Sequence, residues 1–178
     1  ILGRDHVDLA RTLNELASLH QSQNNFNLAE TEYKRALSIR GTAPMAVADT
    51  LTGLALLHQA RKQHAPAKKL LLQALSIKEE AFGPEAPQLV ETLNKLGRIY
   101  ESLAEVDRAI EFYERAIRFD TAKVSYPGAY MYLGARALED SRYEQARKYL
   151  TTALENTNKN AMAYQQNPEA RSGGPTGE

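Results

Sequence analysis

"ARTLNELASLHQ", residues 10–21, returns nearly intact as "ADTLTGLALLHQ" at residues 48–59. Leu13, Leu16, Ala17 and His20 follow the i, i+3, i+4, i+7 rule and so share one face of a helix. Two histidines in matching places pose a choice. Either they form a two-histidine site, or one structural unit is used twice.

The rest of the chain favours the repeated unit. "TLNELA" at Thr12, "TLTGLA" at Thr50 and "TLNKLG" at Thr92 are followed by "RALSI" at 35–39, "QALSI" at 73–77 and "RAIRF" at 115–119. Both series step by 38 and then 42 residues (12 to 50 to 92, and 35 to 73 to 115). A weaker fourth copy follows, with "YMYLGARAL" at 130–138 and "YLTTALEN" at 149–156. Small residues keep register within each copy. Ala17, Ala55, Gly97 and Gly134 come first, then Ala29, Ala67, Ala109 and Ala146, then Ala36, Ala74, Ala116 and Ala153. Such spacing lets two helices approach closely, and length changes fall only in connectors, which tolerate them.

Each copy is predicted to be a pair of helices. In copy one the second helix carries Ala29, Tyr33, Ala36 and Leu37 on its stripe, after the polar turn "SQNNF" at 22–26. Pro66 falls early in a helix, where its missing N–H costs little. "FGPEAP" at 82–87 and "FDTAKVSYPG" at 119–128 break the chain between copies. One pair cannot bury its own face, and stacking produces a continuous core. The expected fold is all-α, a superhelical solenoid of about four helix–turn–helix repeats.

Composition excludes several function classes. Lys+Arg and Asp+Glu both count 22, so no general attraction to nucleic acid or anionic membrane is expected. The absence of Cys removes disulfides, thiolate metal sites and Cys nucleophiles. The densest apolar run, "LLLQALSI" at 70–77, is too short to span a bilayer. No signal-peptide pattern heads the chain, and a cytoplasmic protein is expected.

The small–aromatic–small pattern in constant register resembles the tetratricopeptide repeat, over about residues 2–156. "FGPEAPQLVETLNKLG" at 82–97 and "LGRDHVDLARTLNELA" at 2–17 are similar to the longer kinesin-light-chain type. Two departures separate the chain from kinesin light chain itself. Val7 stands where that pattern has Pro, and the connector in "GTAPMAVADTLTGLA" is four residues shorter. Leu2-Gly3 matches Phe82-Gly83, which is read as a helix end. With no Met at the start, residues 1–8 are expected to be the tail of an earlier repeat and its connector. The repeats are then expected at 9–42, 43–84, 85–124 and 125–156. A capping segment at 157–168 would cover the last repeat through Met162 and Tyr164, and 169–178 would be a flexible tail.

The candidate chemistry reduces mostly to packing. His20 and His58 occupy the slot of Tyr100 and Ala137, and His64 that of Phe26 and Tyr143. A metal would need converging rings and a further ligand. Asp5 or Asp8 reads as a helix N-cap or a first-turn acid. Glu79-Glu80 and Glu139-Asp140 diverge by about 100° on a helix and read as solvating pairs. No Ser/His/Asp constellation, phosphate loop or cofactor motif is present, so no enzyme, metal or cofactor is expected.

What remains is the face of the first helices, one step off the packed stripe. It comprises Asn14, Ser18 and Gln21, then Thr52, Leu56 and Gln59, then Asn94, Arg98 and Glu101, then Met131, Ala135 and Leu138, with Arg11, Asp49, Glu91 and Lys95 at the rim. The resemblance implies a concave groove that holds an extended peptide. Kinesin light chain and similar receptors use Asn ladders there, because one Asn side chain can bracket a peptide bond. The chain matches at Asn14 and Asn94 and departs at Thr52 and Met131. The carboxylate clamp of chaperone-tail-binding repeats is not matched at Asn14, Ser18, Gly53, Glu91 and Lys95. The expected function is an adaptor or scaffold that binds a protein or peptide segment. The alternatives are self-assembly through the solenoid ends, or a regulatory module beside a catalytic domain outside this chain.

Overall fold

The computed structural model describes residues 2–39, 43–119 and 127–166. Every regular element there is helical: α1 (Leu2–Ser22), α2 (Phe26–Ser38), α3 (Pro44–Ala60), α4 (His64–Phe82), α5 (Val90–Ser102), α6 (Val106–Phe119), α7 (Pro127–Glu139) and α8 (Tyr143–Gln166), with a 3₁₀ turn at Pro87–Leu89. The chain forms two compact units, Ile1–Phe119 and Asp120–Glu178. In the first, α1 packs on α2, α3 on α4 and α5 on α6, and α2 also meets α3 as α4 meets α5. In the second, α7 packs on α8.

The small residues that set the register are buried in every copy. They make room for a larger side chain from a second helix. A Cβ on Gly97 would lie 2.6 Å from the ring of Tyr113, and one on Gly134 2.7 Å from Leu150. In copy one the ring of Tyr33 sits instead over Gly53 of the next repeat, where a Cβ would come within 2.6 Å. Tyr33 thereby joins Ala17, Ala29, Leu54 and Leu57 in one core cluster spanning two repeats.

The turns inside the hairpins are identical in geometry although their sequences differ. Asn24, Lys62, Ala104 and Ser141 all adopt φ of 57–60°. Their N–H groups bond back to Gln21, Gln59, Glu101 and Leu138. The following N–H groups, of Asn25, Gln63, Glu105 and Arg142, reach the carbonyls of His20, His58, Tyr100 and Ala137 at 2.8–3.0 Å. This double bond pattern satisfies carbonyls that a helix end otherwise leaves open.

Two expectations are corrected. Leu2-Gly3 does not end a helix, because α1 runs unbroken from Leu2 to Ser22. At the matching break Gly83 takes φ +86° and Pro84 and Pro87 supply no N–H, whereas Arg4 and Val7 can continue the ladder. Asp8 consequently lies inside α1, paired with Arg11 at 2.8 Å, and not at a helix start. At the other end no separate capping helix forms. Residues 157–166 prolong α8, and Met162 is 61% exposed. The side chain of Tyr164 and the tail at 169–178 lie outside the described residues.

Gly97→Leu should overpack the Tyr113 contact and lower stability by about 1–3 kcal/mol, read as a fall in Tm. Ala104→Gly should do the opposite. It relieves a left-handed alanine, less the extra chain entropy of glycine, and should raise stability by about 0.5–1 kcal/mol in denaturant titration.

Candidate functional site

The first helices of unit 1 carry two kinds of polar residue. Nearer their N-termini, the side chains are committed to the fold. Asn14 donates from Nδ2 to Thr50 Oγ1 at 2.8 Å, tying α1 to α3, and Thr50 donates in turn to the Ala46 carbonyl. Asn94 is buried and donates to the Val90 carbonyl at 2.9 Å, and Thr52 donates to Ala48 in the same way. Asn94 is thus part of the core, while Asn14 is half-buried. Asn14 keeps one buried oxygen, Oδ1, without a partner.

Lys78 of α4 is buried between α3 and α5, 3.3 Å from Thr92 Oγ1 and 3.9 Å from an oxygen of Asp49. Sequence reading missed it. The available signal was a basic residue recurring at Arg40 and Lys78. Glu91 accepts from Lys95, and that bond, followed by the charges of Lys95 and Lys78, outweighs partial burial and holds its carboxyl below the ordinary 4.5.

The positions nearer the turns are different. Ser18 and Arg98 are exposed and Gln21, Leu56 and Gln59 half-buried. Among the described residues, the side chains of Ser18, Gln21, Gln59 and Arg98 have no hydrogen bond or ion pair, whereas Glu101 accepts from the Tyr113 hydroxyl at 3.0 Å. In unit 2, Met131, Ala135 and Leu138 are exposed on α7.

One histidine ties a turn end. His58 Nδ1 lies 2.6 Å from Gln63 Oε1, across the turn that follows it. His20 is half-buried beside the equivalent turn. Among the described residues no three His, Asp or Glu side chains gather. The acidic pairs do more than solvate: Glu79 pairs with Arg115 at 2.5 Å and Asp140 with Arg142 at 2.7 Å.

Outside this face, ion pairs join consecutive repeats. Arg61, in the α3–α4 turn, meets Glu30 of α2 at 2.5 Å and Asn27 at 2.6 Å, with its guanidinium over the Phe26 ring. Glu30 also binds Lys34, and these two cations hold its carboxyl below 4.5 against desolvation. Lys68 of α4 meets Glu105 at 2.7 Å and covers the Tyr100 ring.

Stacked helix hairpins with a polar first-helix face define an α-solenoid interaction module. Two family profiles described as "Tetratricopeptide repeat" match residues 46–122 and 9–43, and the chain belongs to that family, with repeats of the kinesin-light-chain-like type. Solved structures share the fold. BtubC (BKLC) from P. vanneervenii is 23% identical with a TM-score of 0.78, over 94% of this chain and 70% of that one. MamA is 23% identical with a TM-score of 0.67, over 86% and 81%. MamA from Desulfovibrio magneticus RS-1 is 16% identical with a TM-score of 0.63, over 84% and 76%. No curated relative matches the chain. Tetratricopeptide repeats are, in general, protein-interaction modules and typically non-catalytic. Among the described residues no helix is long and apolar enough to cross a membrane.

Glu30 and Glu91 bind protons less tightly folded than unfolded, so their contribution to stability is present above pH 4.5 and lost as pH falls below it. The double variant Glu30→Gln/Glu91→Gln should therefore be less stable than the parent at pH 7, and the difference should close as pH falls through the folded pKa values of the two groups. Thermal melts across that range check the difference.

Proposed function

We propose that the chain is an adaptor that holds an extended segment of a partner protein across the first helices of unit 1. The observation that carries this is the set of uncommitted polar groups at Ser18, Gln21, Gln59 and Arg98, beside apolar Leu56. Gln21 and Gln59 occupy equivalent positions on α1 and α3, which touch directly. Each amide offers both a donor and an acceptor to a peptide backbone. Arg98 adds a preference for an acidic or carbonyl-rich residue in the ligand, and Leu56 a preference for an apolar one.

The test is a peptide-library selection on the whole chain, followed by calorimetric titration of the selected peptides. Gln21→Ala, Gln59→Ala and Arg98→Ala should each weaken binding by about 1 kcal/mol, roughly fivefold in Kd, with unchanged Tm. Asn94→Ala should instead lower the Tm. Full affinity in the triple variant removes the groove reading.

A further inference from the structure

Gln21, Gln59 and Glu101 occupy the same place at the ends of α1, α3 and α5. In each case the left-handed turn residue three positions on, Asn24, Lys62 or Ala104, donates its N–H to that residue's carbonyl. The row thus has a fixed backbone and reads amide, amide, carboxylate. An amide can donate or accept a hydrogen bond, whereas an ionised carboxylate only accepts.

The side chain of Glu101 is held as well. The hydroxyl of Tyr113, on α6, donates to Glu101 Oε2 at 3.0 Å. Tyr113 is buried, and its ring rests over Gly97, one helical turn before Glu101 on the same face of α5. Copies two and four have Leu71 and Leu150 in the place of Tyr113, and copy one has Gln21 in the place of Glu101. Copy three therefore combines a hydroxyl and an acid where the other copies do not.

This bond leaves Arg98 without its neighbour. Elsewhere an arginine with a glutamate three residues later closes on it: Arg108 meets Glu111 and Arg136 meets Glu139, each at 2.7 Å. Arg98 and Glu101 have the same order and spacing and are both exposed. Among the described residues no ion pair joins them, and Glu101 Oε1 has no partner. Two opposite charges thus stand open within one turn of α5.

We propose that Glu101 determines specificity in the groove: it takes a lysine or arginine of the partner segment, beside the acidic residue that faces Arg98. This rests on the function proposed for the first helices of unit 1. Two amides read a peptide backbone without regard to its side chains. A held carboxylate adds a demand for a donor of positive charge at one place, and so sets which residue of the segment lies over α5. Tyr113 is a positioning residue. It orders the acceptor before the ligand arrives, so less side-chain freedom is lost on binding.

Random-peptide selection on the whole chain, run in parallel on the parent and on Glu101→Lys, reads the outcome. Parent-selected peptides should share Lys or Arg at one position, with Asp or Glu close by. Those from Glu101→Lys should carry Asp or Glu at that position instead. Glu101→Gln should weaken a parent-selected peptide by about two- to fivefold in Kd. The same peptide with Ala in place of its cation should bind parent and Glu101→Gln alike. A second measurement needs no ligand. In thermal melts the losses from Tyr113→Phe and Glu101→Ala should be less than additive, because either substitution removes the same bond. Additive losses overturn the inference. So do selected peptides that lose affinity in Gln21→Ala and Gln59→Ala yet show no cationic preference, an outcome that leaves the groove reading standing. A parent that selects no peptide overturns both.

Discussion

The interaction on which the structure depends is a large side chain of a second helix seated on a residue with little or no side chain. Tyr113 rests on Gly97, Leu150 on Gly134 and Tyr33 on Gly53. Interiors are close-packed, so a single added carbon at these places forces neighbours apart. The variation among copies is informative. Where the first helix of copy one carries Ala17, the tyrosine ring lies over Gly53 of the next repeat, so one ring serves the joint between repeats. Where the first helix carries Gly97, the ring of Tyr113 rests on it inside the hairpin.

The ring can reach its seat only because the turn fixes how the two helices diverge. Four turns with different residues adopt the same left-handed position and the same pair of backbone bonds. None of those positions is glycine, so the left-handed conformation is sustained against a local cost of about 1–2 kcal/mol by the packing on either side. Local preference and tertiary contact disagree at these residues, and tertiary contact prevails. Side-chain caps do not explain the turns: α2 and α4 begin without one.

The repeat register was legible because small residues must recur wherever helices touch, and periodicity exposes them directly. The hairpins and the break at 82–87 followed from the same pattern together with glycine and proline chemistry. Three features were not legible. A helix that begins at Leu2 differs from one that ends at Phe82 by the two prolines absent at Arg4 and Val7, which outweigh the shared glycine. The run after Asn156 lacks a breaker and simply continues α8. Asn14 and Asn94 lie at the border between packed and open faces, where periodicity does not fix direction. Their short amides reach a neighbouring hydroxyl or the carbonyl one turn back, and a buried polar group that finds such a partner stays with it.

That division within each first helix bears on recognition. The positions farther from the turns spend their polar groups on the fold: Asn14 on Thr50 and Thr92 on Lys78 across helices, and Glu91 on Lys95 within α5. Nearer the turns, Ser18, Gln21, Gln59 and Arg98 have no hydrogen bond or ion pair among the described residues, beside turns that the left-handed residues hold in one geometry. A binding group costs least to order when its backbone is already fixed, and here the fixed turns lie within a few residues of the free side chains. A ligand that approached the positions farther from the turns would have to break bonds such as Asn14–Thr50 that join the repeats. One that approached the turn-proximal halves would meet groups whose only competitor is water. The physical separation of joint from free surface therefore favours recognition near the turns, at positions where the repeats can change residue type without losing the stack.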